Sequence, residues 1–428
     1  MTEVRLELHG AFATVAVTGT NGKTTTTGMV EAIVAASGEP HARVTTLGGW
    51  VDGQPVGEGP TLDAFARAIE LGHAAGMRTL ALETTSRALA EGFAHLWRPT
   101  VAVFTNLSRD HLDYHGDPEH YLAAKAQLFM LLPAEGAAVL NACDPASALL
   151  DEVTPPGVRR LAYAGALPRV AEDCRKLPIE LAVERIELSA EGTRAKLAPG
   201  PLGDALGGEL VLGVFGEHNV ENALAAALST HALGYAPAAI ARGLAAFRGV
   251  KGRFERVHER PSVVVDYAHT PDALERTLRL ARRLAGSGRV LCVFGCGGGS
   301  DPGKRAEMGR IAAELADVVV VTSDNPRSED PAEIAAAIQS GVGEEGSSSL
   351  RRPKERELVW LTELDRKTAI ERAIEIAWTS PDDIVVVAGK GHETTQCVQD
   401  ETFPFDDGEV ARAACEMLRK RGLNEDRS

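Results

Sequence analysis

A β-branched apolar run that turns on glycines into a helix fixes the start of this chain. Thr14-Val15-Ala16-Val17 reads as a short buried strand, and a helical run extends from about Thr24 to Ala36. Between them lies Thr18-Gly19-Thr20-Asn21-Gly22-Lys23-Thr24-Thr25. A strand, a glycine-bearing loop and a helix start converge backbone N–H groups on an anion. Lys23 adds a point charge for terminal phosphates, and Thr24 offers a hydroxyl to magnesium. The match to G-x-x-x-x-G-K-[ST] departs at Val17, which stands where the first glycine would be. A ligand-free Gly/Thr turn is the competing reading. Gly-Lys-Thr between strand and helix favours a nucleoside triphosphate.

The 428 residues allow two or three domains. A net charge of −15 with no basic stripe argues against nucleic acid as a partner. No apolar run has bilayer-spanning length, so no membrane partner is expected. The six cysteines show no metal-knuckle spacing, and a reducing cytoplasm fits them best.

Beyond the loop, strand and helix patterns alternate: strands at Arg78–Glu83, Thr100–Thr105 and Ala137–Asn141, and a helix from Pro118 to Leu132. From Val158 to about Val214 short segments split by Gly and Pro predict an antiparallel flap without a clear helix. Helices at Asn219–Leu233 and Pro237–Phe247 follow. Near Gly249–Arg253 a linker is expected, and the alternation restarts with strands at Val263–Asp266, Val290–Phe294, Val318–Thr322, Glu357–Leu361 and Ile384–Val387. A last helix is expected at Glu409–Lys420. Gly341–Pro353 reads as a polar loop without evident role. The fold class is therefore α/β: a central P-loop ATPase-like parallel-sheet domain with an antiparallel flap, residues 1–250, then a Rossmann-like domain, residues 251–428.

Several constellations carry chemistry. Glu83 ends an apolar strand, where open α/β sheets place ligands, and its carboxylate could take magnesium or cap a helix. The next strand ends in a loop holding Arg109, Asp110, His111, Asp113 and His115. Lys125, flanked by Ala123, Ala124 and Ala126, reads alone as an exposed helix lysine. In the second half, Asp266 and His269 follow a strand and suit a ribose and a phosphate. Ser323-Asp-Asn-Pro-Arg-Ser-Glu-Asp330 and Gly389-Lys-Gly-His-Glu393 end two more strands. Arg327 suits a carboxylate and Glu393 an ammonium, so these loops make a pocket for a zwitterion.

Together these stretches resemble the Mur ligases, closest to the MurE type that adds the third amino acid of the peptidoglycan stem. The resemblance runs from Thr18 nearly to the C-terminus, through Phe104–Gly116, Tyr121–Phe129, Asn219–Ala226, Gly252–Glu255, Val265–Leu274, Ser323–Pro331, Gly389–Gln396 and Phe403–Val410. It implies ATP-dependent ligation of a carboxylate to an amine through an acyl phosphate. By position, Gly19 to Thr25 hold phosphates, and Thr24, Glu83, His111 and Lys125 hold magnesium, Lys125 as a carbamate. Asn219, Asn222, Arg253, Asp266 and His269 match nucleotide-contacting positions, several reaching across the domain gap. Asn325, Arg327, Gly389 and Glu393 match the pattern that binds diaminopimelate.

Three departures shape the expected substrates. MurE-type enzymes carry a uridine-nucleotide-binding domain before the phosphate loop, whereas 18 residues precede Gly19 here. Their Thr-Thr-Pro and Ser-Ser-His acceptor motifs are replaced by Gly59-Pro60-Thr61 and Thr85-Ser86-Arg87. An arginine of the Gly-rich turn that helps bind diaminopimelate is Ser300. The expectation is an amino-acid ligase acting on a small-molecule or peptide carboxylate other than UDP-MurNAc-dipeptide, with Thr85, Ser86 and Arg87 near that acceptor. The alternatives are tripeptide synthesis with uridine binding supplied in trans, a non-catalytic ATP-binding subunit of a partner enzyme, and a P-loop kinase.

Overall fold

The computed structural model describes residues 6–189, 192–342 and 357–425. It separates into two compact units, Met1–Gly249 and Val250–Ser428.

The first unit is built on an eleven-stranded sheet. Its middle strand, Ala13–Thr18, is fully buried beyond its first residue and runs parallel between Thr79–Glu83 and Val101–Phe104. The register pairs Val17 with Glu83 and Thr18 with Phe104, so all three strands deliver their C-terminal ends to one place. That is where ligands collect in open parallel sheets. The helix Lys23–Ala36 leaves from the same point, with Thr24 to Val30 buried. Four consecutive threonines are tolerated there because hydroxyls find partners: Thr27 Oγ1 donates to Lys23 O at 2.9 Å, and Thr26 Oγ1 to Asn222 Oδ1 at 3.2 Å. The Ala-rich helix Glu217–Ala232 and the helix Pro237–Ala246 pack on it closely. A Cβ on Gly243 would lie 2.4 Å from Ile33 Cα.

The expected flap is an extension of this same sheet. Arg159–Ala164 pairs in parallel with Ala137–Asn141, and Ile179–Ser189 in parallel with Arg159–Ala164. Only Gly192–Leu197 and Glu209–Leu212 add in antiparallel fashion, and a short helix, Pro201–Ala205, lies between them. The Gly/Pro breaks that suggested an antiparallel flap mark turns between strands joined edge to edge, parallel at first and antiparallel only at the far end. Elements not anticipated from the sequence include the strand His41–Thr45, the hairpin Gly48–Val51/Gln54–Glu58 and the helices Leu62–Ala74 and Ala146–Val153.

The second unit holds a six-stranded sheet. Its five parallel strands lie in the order Ser262–Asp266, Ile384–Ala388, Val290–Phe294, Val318–Val321, Val359–Thr362, and Glu255–His258 adds antiparallel at one edge. Val385 to Val387 and Val318 to Val321 are valine runs buried on both faces, as a helix-covered parallel sheet requires. A two-stranded hairpin, Thr395–Val398/Glu401–Pro404, stands apart. Most of the polar loop expected at Gly341–Pro353 lies outside the described residues.

One ion pair holds this unit at its centre. Arg366 and Asp407 are both fully buried and meet through two hydrogen bonds of 2.7 Å. The guanidinium also donates to Ser323 O (3.2 Å) and Ala388 O (3.0 Å), the points where two strands release their loops. Leaving one buried charge unpaired costs about 3–5 kcal/mol, whereas replacing both by apolar groups is often neutral. Arg366→Met should therefore destabilise the second unit by about that amount in urea denaturation. The Arg366→Met/Asp407→Leu pair should lose less than half as much.

Candidate functional site

The phosphate loop is braced on the strand end beside it. Thr20 N donates to Asn106 O (2.8 Å), Asn21 N to Asn106 Oδ1 (2.9 Å) and Thr105 Oγ1 to Asn21 O (2.6 Å). Gly19 has φ +148°, and a Cβ there would fall 1.9 Å from Thr105 Oγ1 and 3.1 Å from the Asn106 backbone. Gly22 (φ +86°) backs onto Asn222, whose amide bonds Thr26 and Asn219. Asn219 and Asn222, expected at nucleotide-contacting positions, thus buttress the loop from behind; Asn219 Nδ2 donates to Phe215 O at 2.7 Å. Lys23 Nζ bonds Thr20 O at 2.7 Å, curled over its own loop.

Thr24 Oγ1 donates to Glu83 Oε2 at 2.9 Å, and the same oxygen accepts from Thr46 N (3.1 Å) and Thr46 Oγ1 (3.3 Å). The hydroxyl and carboxylate expected to share magnesium are therefore in contact, and Thr46 is a partner the sequence reading missed. Lys125, read alone as exposed, is fully buried. The small residues Ala124 and Ala126 let the helix Pro118–Met130 press against the loop. Lys125 Nζ donates to Gly19 O at 2.9 Å and lies 4.1 Å from the centre of the Tyr121 ring. Burial first, and then the Lys23 ammonium, push its pKa well below the usual lysine value, with Asp110 opposing. His111 is half exposed, has φ +53° and sits 3.4 Å from Asp110. Among the described residues no three His, Cys, Asp or Glu side chains gather as a metal site. The Thr24 hydroxyl and the Glu83 carboxylate are oxygen donors of the kind a hard cation takes.

The expected acceptor residues separate. Thr85 caps the helix Ser86–Ala90 and lines a cavity beside Glu83. Ser86 is buried, with its hydroxyl 3.0 Å from His115 Nε2. Arg87 is exposed and donates to Glu91 at 3.0 Å.

In the second unit the two polar loops and the Gly-rich turn form one cluster. Asn325 Nδ2 donates to Glu393 Oε2 (2.8 Å), and Lys390 Nζ, fully buried, donates to Asn325 Oδ1 (3.1 Å), Glu393 Oε2 (3.0 Å) and Thr395 O (2.6 Å). Lys390 was given no role from the sequence, and its only signal was its place between two glycines. Arg327 has φ +51° and donates to Gly298 O of the Gly-rich turn. Its backbone pairs with the hairpin: Arg327 N donates to Cys397 O at 3.1 Å, and Gln399 N to Arg327 O at 2.6 Å. Gly389 (φ +115°) leaves room for Asp324, whose Oδ2 lies 2.3 Å from where a Cβ would stand.

Asp266, expected at a ribose, is committed to protein donors: Phe254 N (2.6 Å), Ala268 N (2.9 Å) and Thr277 Oγ1 (3.1 Å). Burial raises its pKa, with Arg253 opposing. Arg253 lies over the Tyr267 ring at 4.3 Å, and His269 meets the same ring edge-on at 4.5 Å.

Comparison with known proteins finds relatives of both units. Residues 17–230 match the Mur ligase middle domain, and residues 252–391 the Mur ligase glutamate ligase domain. A UDP-N-acetylmuramoyl-L-alanyl-D-glutamate–2,6-diaminopimelate ligase of Thermosynechococcus vestitus is 41% identical over 95% of this chain and 77% of its own length. A solved structure of a ligase with the same name is 31% identical, covers 95% of this chain and 79% of its own, and superimposes with a TM-score of 0.62. The folylpolyglutamate synthase of Mycobacterium tuberculosis shares the fold, with 21% identity, a TM-score of 0.66 and coverage of 95% and 91%. No helix among the described residues is long and apolar enough to cross a membrane.

Gly19 and Gly38 test the loop's packing. Gly38 has φ +83° and open space around it. Alanine at either position carries the left-handed penalty of about 1–2 kcal/mol. Gly19→Ala should in addition weaken ATP binding by at least about tenfold, because its methyl meets Thr105 and the Asn106 backbone. Gly38→Ala should leave ATP affinity unchanged in calorimetry.

Proposed function

Because this chain belongs to the Mur ligase family of ATP-dependent ligases, we propose that it activates a carboxylate as an acyl phosphate and joins it to an amino acid. A carboxylate oxygen attacks the γ-phosphorus and ADP leaves; the amine nitrogen then attacks the acyl carbon, and phosphate leaves as the nitrogen loses a proton. The observation that carries the reading is the buried Lys125 ammonium on Gly19 O, against the loop that holds Thr24 to Glu83. An unmodified ammonium beside Lys23 is costly there. A neutral amine reacts with carbon dioxide to give a carbamate and a proton, and the depressed pKa supplies that neutral amine nearer neutral pH.

Thr24, Glu83, His111 and Lys125 as a carbamate would hold magnesium, which when bound neutralises phosphate charge. The chain's own part is positioning. Lys23 and the loop amides hold the phosphates, and Arg253, Asp266 and His269 remain the candidates for nucleotide contact in the second unit. Arg327 takes the amino acid's carboxylate and Glu393 its ammonium, with Lys390 and Asn325 fixing Glu393.

The relatives' names make diaminopimelate the first amino acid to test and UDP-N-acetylmuramoyl-L-alanyl-D-glutamate the reference acceptor; they do not support the expectation of a different acceptor. The assay is ADP and phosphate release with ATP, magnesium, an amino acid and an acceptor panel. Release that requires both amine and acceptor supports the ligase; release without an amine would remove it.

Lys125→Ala should lose on the order of a hundredfold or more in kcat, with partial recovery on adding short carboxylates. Its stability should hold or rise. A lysine whose folded pKa lies below its unfolded value binds fewer protons folded than unfolded. In buffer freed of carbon dioxide, where Lys125 is unmodified, the first unit should therefore gain stability as pH rises from that lowered pKa toward 10.5, and Lys125→Ala should flatten this dependence in thermal melts.

Arg327→Ala should raise the amino-acid KM roughly tenfold to a hundredfold, the equivalent of losing about 1.5–3 kcal/mol of charged hydrogen bonding, with ATP affinity unchanged. Kinetics with diaminopimelate, lysine, glutamate and alanine check it.

A further inference from the structure

Tyr267 stands between the residues that are candidates for the nucleotide and the loop assigned to the amino acid. It follows the strand Ser262–Asp266, and its ring meets a guanidinium and two imidazoles. Arg253 lies over it at 4.3 Å, His269 meets it edge-on at 4.5 Å, and His392 leans on it at 4.9 Å with the ring planes 32° apart. His269 Nδ1 also donates to Tyr267 O at 2.8 Å. All four side chains are half-buried, so each keeps part of its surface in solvent. The backbones beneath them interlock. A Cβ on Gly391 (φ +54°) would fall 2.6 Å from Tyr267 Cβ, and one on Gly252 (φ +68°) 2.2 Å from His392 N. Phe254 N donates to Asp266 Oδ2 at 2.6 Å, and Gly389 N to Asp266 O at 3.1 Å.

His392 precedes Glu393 in a tight turn: Glu393 N donates to Lys390 O at 2.9 Å, and Lys390 Nζ holds the Glu393 carboxylate at 3.0 Å. Whatever restrains the His392 ring therefore restrains that carboxylate. At the other end of the cluster, a part-exposed guanidinium over a ring is held weakly, and an anionic ligand that takes Arg253 and His269 fixes both. Ordering one end of a packed cluster lowers the cost of ordering the other. We propose that Tyr267 is a positioning residue that couples the two substrates. Nucleotide at Arg253 and His269 fixes the ring, the ring fixes His392 and the Lys390-to-Glu393 turn, and the amino acid then binds more tightly. By linkage the amino acid tightens nucleotide binding by the same factor. This rests on the ligase reading above and adds how its two sites communicate.

Calorimetry on the full chain tests this with diaminopimelate, lysine, glutamate and alanine, each with and without saturating magnesium AMPPNP; the tightest binder carries the comparison. In wild type the nucleotide should tighten amino-acid binding about fivefold or more. Tyr267→Phe keeps the ring and should keep that ratio. Tyr267→Leu should bring the ratio to about one, and so should His392→Leu, which removes the ring that leans on Tyr267 and decides the matter if Tyr267→Leu does not fold. A ratio of about one in wild type, its loss in Tyr267→Phe, its retention in a folded leucine variant, or no binding of any of the four amino acids overturns the proposal. Coupled binding that Tyr267→Leu abolishes, without ADP release that requires amine and acceptor, supports the coupling and refutes the ligase reading. ADP release that requires both, with binding uncoupled in wild type, does the reverse.

Discussion

The first unit depends on the contact between the phosphate loop and the end of the neighbouring strand. Gly19 has no space for a side chain because Thr105 and Asn106 occupy it, and those residues also take the hydrogen bonds of Thr20 and Asn21. A loop whose amides must face an anion has unmet donors of its own, so its outer side has to be held by something else. The strand Val101–Phe104 supplies that hold, and Tyr121 adds a hydroxyl contact to Thr20 at 3.1 Å. With the loop fixed on that side, Glu83 on the opposite neighbouring strand comes to Thr24, and Lys125 comes to Gly19 O. The chemistry is a consequence of strand order.

The second unit solves the same problem with a buried charge pair in place of a loop-to-strand seam. Arg366 has five donors in a rigid fork, and four of its hydrogen bonds are used: two to Asp407, one to Ser323 O and one to Ala388 O. Ala388 O is the last carbonyl of its strand and Ser323 O lies just beyond the end of its own, so the fork grips the roots of the loops proposed to hold the amino acid. Both side chains are fully buried, so water does not compete for those carbonyls.

Much of this was legible in the sequence. The strand–loop–helix at Thr14–Ala36 and the β-branched runs of the second unit fell within a residue or two of their observed limits, because buried parallel strands have few alternatives once glycines and helices bound them. The clustering of Asn325, Arg327 and Glu393 could also be read, since strand ends in one parallel sheet share an edge. What could not be read came from tertiary contact. Lys125 sits on a helix whose pattern gives no sign that its lysine is covered. Arg366 opens an ordinary amphipathic helix, yet its side chain makes four hydrogen bonds. The extension of the first sheet through Arg159–Ala164 was hidden because parallel and antiparallel partners look alike one strand at a time. The hydrogen bonds of Asn222 to Thr26 and Asn219, and of Asn219 to Phe215 O, were likewise not readable from motif position.

The Gly-rich turn and the Asn-Pro-Arg loop of the second unit are tied at several points. Gly298 N donates to Asn325 O at 2.9 Å, Gly299 N to Glu329 Oε1 at 2.6 Å, Arg305 to Glu329 at 2.8 Å, and Arg327 to Gly298 O. A Cβ on Gly298 would fall 1.9 Å from Pro326 O. Residues bound in one network do not contribute independently to free energy. Substitutions in the turn and in the loop are therefore epistatic, and the value of a change at Ser300 is set by what stands at 327 and 329. A redesign of this corner would have to treat turn and loop as one block of residues rather than as single sites.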